Sequence, residues 1–140
     1  MRAPRRSSGW SRRRLQRRGH YDAYLNSPAW YRKRQQWYLE WQQKTGTEPL
    51  CAVCGRVWTL SQGHLHHRTY ARLGHELLTD VVPLCAADHA QLHDLWDAHP
   101  SWRTTGRATA TLGIIAALRR QRRADGSTSH VPARTTDQEA

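Results

Sequence analysis

Tryptophans recur at helical spacing in the first third of the chain, at Trp30, Trp37 and Trp41. Residues at these intervals share one face of a helix, so the segment from Tyr21 to Lys44 is predicted to be helical, as one helix or two short ones. Its boundary signals are a capping serine, a first-turn proline and a terminating glycine, at Ser27, Pro28 and Gly46. The tryptophans are interpreted as a core stripe, with base stacking as the alternative, and the face carrying Arg32, Lys33 and Arg34 as exposed.

Further along the chain, short β-like stretches are followed by helical ones. Val57 to His67 alternates loosely and predicts a strand or hairpin, and Val81 to Leu84 predicts a short strand in which Pro83 favours an edge position. The intervening residues, Arg68 to Asp80, are predicted to be a loop. Two further helices are predicted, Ala86 to Ala98 packing through Leu92, Leu95 and Trp96, and Thr109 to Arg123 packing through Leu112, Ile115 and Leu118. Together these elements predict a single α+β domain.

The charge is strongly basic and unevenly distributed. The net charge of +11 favours a polyanionic partner, of which nucleic acid is the commonest. Residues 1–19 hold eight arginines and no apolar face, and are predicted to be a disordered arm that binds nucleic acid through residues such as Arg12, Arg13 and Arg14, or a solubilising tail. Residues 20–100 are predicted to form the central domain, 101–125 a C-terminal basic helix, and 126–140 a disordered tail.

The apolar content and the cysteines limit the class of protein further. A mean hydropathy of -0.85 and the absence of Phe predict a thin core, which favours stabilisation by a metal. Three cysteines are an odd number, and Cys51-x-x-Cys54 has the spacing of a metal knuckle or redox pair, so a reducing cytoplasm is expected. No apolar stretch is long enough to cross a bilayer, and no membrane partner is expected. An Arg- and Ser-rich transit peptide remains an alternative for the N-terminus.

Four histidines carry the candidate chemistry. His89 and His93 are four residues apart in a predicted helix, which places both imidazoles over the same ion. His66 and His67 are adjacent in an extended segment and point in opposite directions, so one can bind the ion while the other faces substrate. Metal-assisted phosphodiester hydrolysis needs this division, with a cation beside the phosphate and a neutral imidazole to deprotonate water.

Taken in order, the motifs resemble those of the HNH endonucleases, particularly the short phage and bacterial ones with zinc knuckles. They run from Tyr21 to about Asp97 as Tyr-x-x-Tyr-Leu-x-Ser-Pro-x-Trp, Cys-x-x-Cys, Leu-His-His-x-Thr-Tyr-x-x-Leu-Gly and Asp-Val-Val-Pro-Leu-Cys-x-x-x-His-x-x-x-His. The resemblance implies a ββα-metal fold, two strands and a helix around one divalent ion. It implies that His67 is the general base and that the ion's ligands are His66, His89 and His93.

Two positions depart from the family pattern. Asp80 stands where the family has an Asn that braces the loop holding the base, and a carboxylate can accept hydrogen bonds there but cannot donate an amide proton. Asp88 stands where relatives have the fourth thiol of the knuckle. Zinc accepts carboxylate oxygen, so a structural zinc site is expected at Cys51, Cys54, Cys85 and Asp88, with a lapsed site held by packing as the alternative.

The sequence therefore predicts a metal-dependent endonuclease that hydrolyses DNA with one catalytic ion, which is Mg, Mn, Ni or Zn. Its partner is expected to be double-stranded DNA read with weak sequence preference, and further partners to be phage packaging or other DNA-processing proteins. The resemblance places it in the cytoplasm of a bacterium or a phage-infected host. Arg68 and Arg72 are candidates for binding a phosphate of the DNA backbone, or are ordinary solvated charges. The competing functions are a non-catalytic zinc-ribbon nucleic-acid binder and an RNA-directed factor.

Overall fold

The computed structural model describes residues 19–126, and this part of the chain combines helices with one small sheet. Helical residues 19–25 are followed by helix α1 (Pro28–Thr45), strand β1 (His64–His67), strand β2 (Val81–Leu84), helix α2 (Ala86–Ala98) and helix α3 (Arg107–Ala124). Short 3-10 turns at Leu78–Asp80 and Pro100–Thr104 precede β2 and α3. The prediction of an α+β fold is confirmed. The predicted arm and tail lie outside the described residues, apart from their inner ends at Gly19 and Gly126.

The capping signals divide the first predicted helix in two. The Ser27 hydroxyl accepts a hydrogen bond from the Trp30 amide at 3.3 Å, which starts α1, and Gly46 ends it with a φ of 67°. Trp30 and Trp37 are buried, as the core-stripe interpretation predicts. The expectation that Arg34 is fully exposed was wrong: its guanidinium donates to the Leu60 and Gly63 carbonyls at 2.8 and 2.6 Å.

The strands pair antiparallel from His64 opposite Leu84 to His67 opposite Val81. Of the strand or hairpin predicted from Val57 to His67, only the last four residues form a strand. Trp58 is buried and donates its indole N–H to the His64 carbonyl at 2.9 Å. The residues between Trp58 and His64 therefore fold back towards the start of β1 and do not extend the strand. In a two-stranded sheet each strand is an edge, as Pro83 predicted, and the Pro83 carbonyl accepts the Ala52 amide at 2.9 Å.

Two apolar clusters lie on opposite faces of the sheet, because successive side chains of a strand alternate between its faces. One is built around the tryptophans and comprises Trp30, Trp37, Trp58, Leu65 and Val81. The other joins the cysteine loop to the last two helices and comprises Cys51, Val53, Leu84, Leu92, Ile114, Ile115 and Leu118. Of the three histidines of β1, His64 and His66 therefore project towards one cluster and His67 towards the other.

Helix α2 has the predicted bounds, whereas α3 differs in which face it buries. Leu112 was expected to point inward but is 52% exposed, and Ile114 and Thr111 are buried in its place. The shift follows from a polar contact, because the Thr111 hydroxyl lies 3.0 Å from the His66 ring. Among residues 19–126, no helix combines the length and apolarity needed to cross a membrane.

Candidate metal centres

The first centre lies between β1 and α2, where three imidazoles converge. One ring nitrogen from each of His66, His89 and His93 lies within 4.8 Å of the others. The Nε2 atoms of His89 and His93 are 3.1 Å apart. Nitrogens that share a metal at about 2.0–2.1 Å lie roughly 3.0–3.4 Å apart, so this pair has the spacing of common ligands. The three histidines that the sequence predicts as ligands are therefore brought together.

Burial keeps these imidazoles neutral, which a metal ligand must be. It lowers the pKa of His66 to about 2, and the positive charge of Arg107 acts in the same direction. Burial also lowers the pKa of His89 to about 4, followed in size by the effect of His93. The cluster consequently offers three lone pairs at neutral pH without first losing protons.

Two residues that sequence reasoning did not single out hold this centre in place. Thr111 of α3 is fully buried, and its hydroxyl lies 3.0 Å from His66 Nε2, so α3 fixes the orientation of that ring. The His64 ring stacks on the His89 ring with centroids 4.7 Å apart. A hydroxyl that is hydrogen-bonded to a ligating imidazole, as Thr111 is to His66, normally orients that ring.

His67 lies on the opposite face of the same strand. Its ring is packed against Trp30, with centroids 4.8 Å apart, and against Tyr21 and Tyr70 at 5.8 and 5.7 Å. The residue is only 1% exposed. Its Nε2 lies 3.0 Å from Glu76 Oε1, and its Nδ1 is buried with no hydrogen-bond partner among residues 19–126. A carboxylate only accepts, so Nε2 carries the proton and Nδ1 carries the free lone pair.

Glu76 is a site residue that sequence reasoning missed. It is 6% exposed, and besides His67 it accepts hydrogen bonds from the Tyr24 hydroxyl and the Gly74 amide, each at 3.1 Å. These contacts fix the carboxylate that in turn fixes the imidazole. Burial lowers the pKa of His67, while the hydrogen bond and charge of Glu76 oppose that shift. The only sequence signal was an isolated acid in the loop after His67.

Asp80 joins the two ends of that loop. Its carboxylate accepts both the Arg72 guanidinium and the Leu77 amide, and its carbonyl accepts the Arg68 amide at 2.7 Å. The hydrogen bond from Arg72 lowers the pKa of Asp80, which keeps the carboxylate charged. Of the two predicted phosphate contacts, Arg72 is thus engaged by Asp80, and Arg68 reaches the Thr79 carbonyl at 3.5 Å.

The second centre consists of Cys51, Cys54, Cys85 and Asp88, whose candidate ligand atoms lie within 4.8 Å of one another. The loop returns on itself through Gly55, whose φ is 72°, and the Gly55 amide donates to the Cys51 carbonyl at 2.9 Å. Asp88 Oδ2 lies 3.2 and 3.1 Å from the Cys51 and Cys85 sulfurs. Thiolates that share a zinc ion are about 3.8 Å apart, close to the 3.9 Å between the Cys54 and Cys85 sulfurs.

Two of the four candidate ligands of this second centre, Cys51 and Asp88, are buried. Asp88 is fully buried, and its other oxygen accepts the Arg122 guanidinium of α3. Burial raises the pKa of Cys54 to about 12 and also raises that of Cys85, so neither thiol loses its proton unaided. A metal ion deprotonates a coordinating thiol outright, and zinc accepts three sulfurs and one carboxylate oxygen.

An open cleft of about 1660 Å³ reaches the histidine centre from outside. Its walls come from residues 20–34, from β1 with the turn before it and the loop after it, from α2 and from the start of α3. They include His64, His89, His93, Tyr70, Trp96 and Arg107. The predicted nucleic-acid contacts Arg12, Arg13 and Arg14 lie outside the described residues. No protein-family model, no curated protein and no solved structure matches the chain.

Proposed function

We propose that this protein is a metal-dependent endonuclease of the HNH type, in which β1, β2 and α2 form a ββα-metal unit. One observation carries the proposal. The neighbours His66 and His67 face opposite sides of β1, where His66 meets two imidazoles and His67 meets one fixed carboxylate. A metal site beside a separately oriented imidazole is the arrangement that hydrolysis of a phosphodiester by activated water requires.

The proposed reaction assigns different roles to the four histidines. Bound at His66, His89 and His93, a divalent ion would supply positive charge to the phosphate as negative charge grows on it. His67 accepts the proton of the attacking water at Nδ1, because Nε2 is committed to Glu76. Access to Nδ1 requires that a covering ring move, and Tyr21 and Tyr70 are the candidates. By the family resemblance, the products carry 5′-phosphate and 3′-hydroxyl ends.

The charge of the chain supports DNA as substrate. The net charge is +11, and the region from Met1 to Leu50 alone holds 12 Lys/Arg against 3 acids, a balance of +9. Such charge supplies affinity for a phosphate backbone with little sequence information. We propose that Cys51, Cys54, Cys85 and Asp88 hold a structural zinc that ties the loop to α2.

The assay for this function is plasmid nicking by the zinc-loaded protein with added Mg²⁺, Mn²⁺, Ni²⁺ or Zn²⁺, against a chelator control. His67→Ala should lower the rate by about 10²- to 10⁴-fold, since the general base is lost. His75→Ala is the matched control, because His75 is an exposed histidine of the loop that follows His67. Equal nicking by His67→Ala and His75→Ala would contradict the assigned base.

The burial of His67 favours a second candidate, a non-catalytic nucleic-acid binder that retains the fold. If the covered imidazole never meets water, it serves only to pack against Trp30 and Glu76. In that case the wild-type protein should bind duplex DNA, contain zinc and leave plasmid intact with every metal. Metal-dependent nicking that His67→Ala removes would exclude this candidate.

A further inference from the structure

Arg107, the first residue of α3, is fixed at the edge of the histidine centre. Its Nε donates to the His67 carbonyl at 2.8 Å. Its guanidinium carbon lies 4.2 Å from the centroid of the Tyr70 ring and 5.5 Å from that of Trp96. A guanidinium held by one hydrogen bond and two aromatic rings has lost most of its conformational freedom before any ligand binds.

One end of this fixed guanidinium lacks an acceptor. Arg107 Nη2 is buried, and none of the residues from 19 to 126 accepts a hydrogen bond from it. A buried donor without a partner is costly, and a charged one more so. By contrast, the Arg72 and Arg122 guanidiniums each reach a carboxylate, that of Asp80 and that of Asp88.

The surroundings of Arg107 select an anion as the missing acceptor. Arg107 lines the same cleft as His89 and His93. The His67 carbonyl to which it donates belongs to the residue next to His66 in β1. A cation bound by neutral imidazoles would add to the positive potential there, so a negatively charged group is favoured.

We propose that Arg107 is a catalytic residue that binds a non-bridging oxygen of the DNA phosphodiester through Nη2 once the covering Tyr70 ring moves aside. Its Nε stays bonded to the His67 carbonyl. This inference rests on the proposed nuclease function and adds the residue that contacts its substrate. The planar guanidinium matches the geometry of phosphate oxygens, and its fork allows two acceptors to be served at once. One residue would thereby fix the distance between the phosphate and the strand that carries the base.

The test compares Arg107→Ala, Arg107→Lys and the control Arg120→Ala, which removes an exposed arginine of the same helix. Affinity for a 12-base-pair duplex is measured by fluorescence anisotropy with zinc-loaded protein in Ca²⁺ at several salt concentrations. Cleavage of the duplex is measured at saturating concentration in Mn²⁺. Melting temperature and zinc content show whether each variant is folded.

Arg107→Ala should bind the duplex at least tenfold more weakly, with the slope of log K against log salt shallower by about 0.9, as expected when one phosphate is no longer neutralised. Cleavage at saturation should fall by about 10²- to 10³-fold, the usual cost of removing one donor to developing charge. Arg107→Lys should bind more weakly than wild type and cleave at least tenfold more slowly, because an ammonium lacks the planar fork that presents two donors side by side. Arg120→Ala should stay within threefold of wild type in affinity and in rate.

The outcomes separate this inference from the nuclease proposal. If the wild type binds but does not cleave, the nuclease proposal fails and the binding data alone decide the role of Arg107. Equal affinities of Arg107→Ala and Arg120→Ala for the duplex would overturn the inference, whatever their cleavage rates. If Arg107→Ala does not fold, wild-type affinity and rate in Arg107→Lys would overturn it, as would a wild type that binds no duplex.

Discussion

The orientation of His67 depends on a single carboxylate. Glu76 receives the imidazole N–H and is itself held by Tyr24 and Gly74. The tautomer that leaves Nδ1 free is therefore set by a residue nine positions away, which also opposes the effect of burial on the pKa of His67. A change at Glu76 should consequently alter both the rate and its dependence on pH.

Glu76→Gln keeps the shape of the side chain and one acceptor oxygen but removes its charge. Since that charge raises the pKa of His67, His67 should titrate at a lower pH in the variant. The acid limb of the kcat/KM profile should therefore move to lower pH. The rate on the plateau should fall about tenfold or more, because the imidazole is less firmly oriented. An acid limb at the wild-type pH would show that Glu76 has only a structural role.

At the scale of elements, the bounds of short segments were predicted best where signals within the segment itself determine them. Both β2 and α2 have the predicted bounds, since apolar runs and histidine spacing are local signals. The face of α3 was mispredicted at Leu112 because burial of Thr111 is set by His66, 45 residues earlier. For the same reason Glu76, Thr111, Arg107 and Arg122 escaped sequence reasoning, since each acts through partners remote in sequence.

Helix α3 also supports the cysteine centre. The Arg122 guanidinium binds the Asp88 oxygen that faces away from the sulfurs, and Arg119 Nε donates to the Ala52 carbonyl at 2.6 Å. Arg122 thereby holds the carboxylate in position, and with a metal ion bound it would also offset part of the negative charge of the ligands. A thiol at position 88 would offer Arg122 no such second oxygen.

Arg122→Ala should therefore weaken zinc binding by about 10- to 100-fold, the usual cost of removing a partner that orients a metal ligand. The same change in an Asp88→Cys background should have a clearly smaller effect. Zinc affinity is measured by competition with a chromophoric chelator, and Arg120→Ala serves as the exposed control on the same helix. Equal effects in the two backgrounds would mean that Arg122 does not act through Asp88.

At the scale of the whole molecule, basic charge and chemistry lie in different parts of the chain. Residues 51–97 carry 3 Lys/Arg against 5 acids, a balance of -2, although they contain both candidate metal centres. The basic excess lies in the flanking regions. Affinity for a polyanion and reaction at the centre should consequently be separable by truncation.

Deletion of residues 1–18 removes eight arginines and should reduce affinity for duplex DNA. The slope of log K against log salt should become shallower by up to about 0.9 for each DNA phosphate that these arginines neutralise in the full chain. Cleavage at saturating DNA should be retained, because both metal centres lie after position 50. Filter binding at a series of salt concentrations checks the slope, and an unchanged slope would identify the segment as a solubilising tail only.

The two metal centres are joined by the same two helices. Asp88 and His89 are consecutive in α2 but belong to different centres, and α3 contacts both through Thr111 and Arg122, about 16 Å apart along the helix. An ion at either centre would restrict α2, which carries ligands of both centres, and α3, which contacts both. Occupancy should therefore be cooperative, and because such linkage is reciprocal, zinc at the cysteines should increase affinity at the histidines by the same factor that the histidine-bound ion increases affinity at the cysteines.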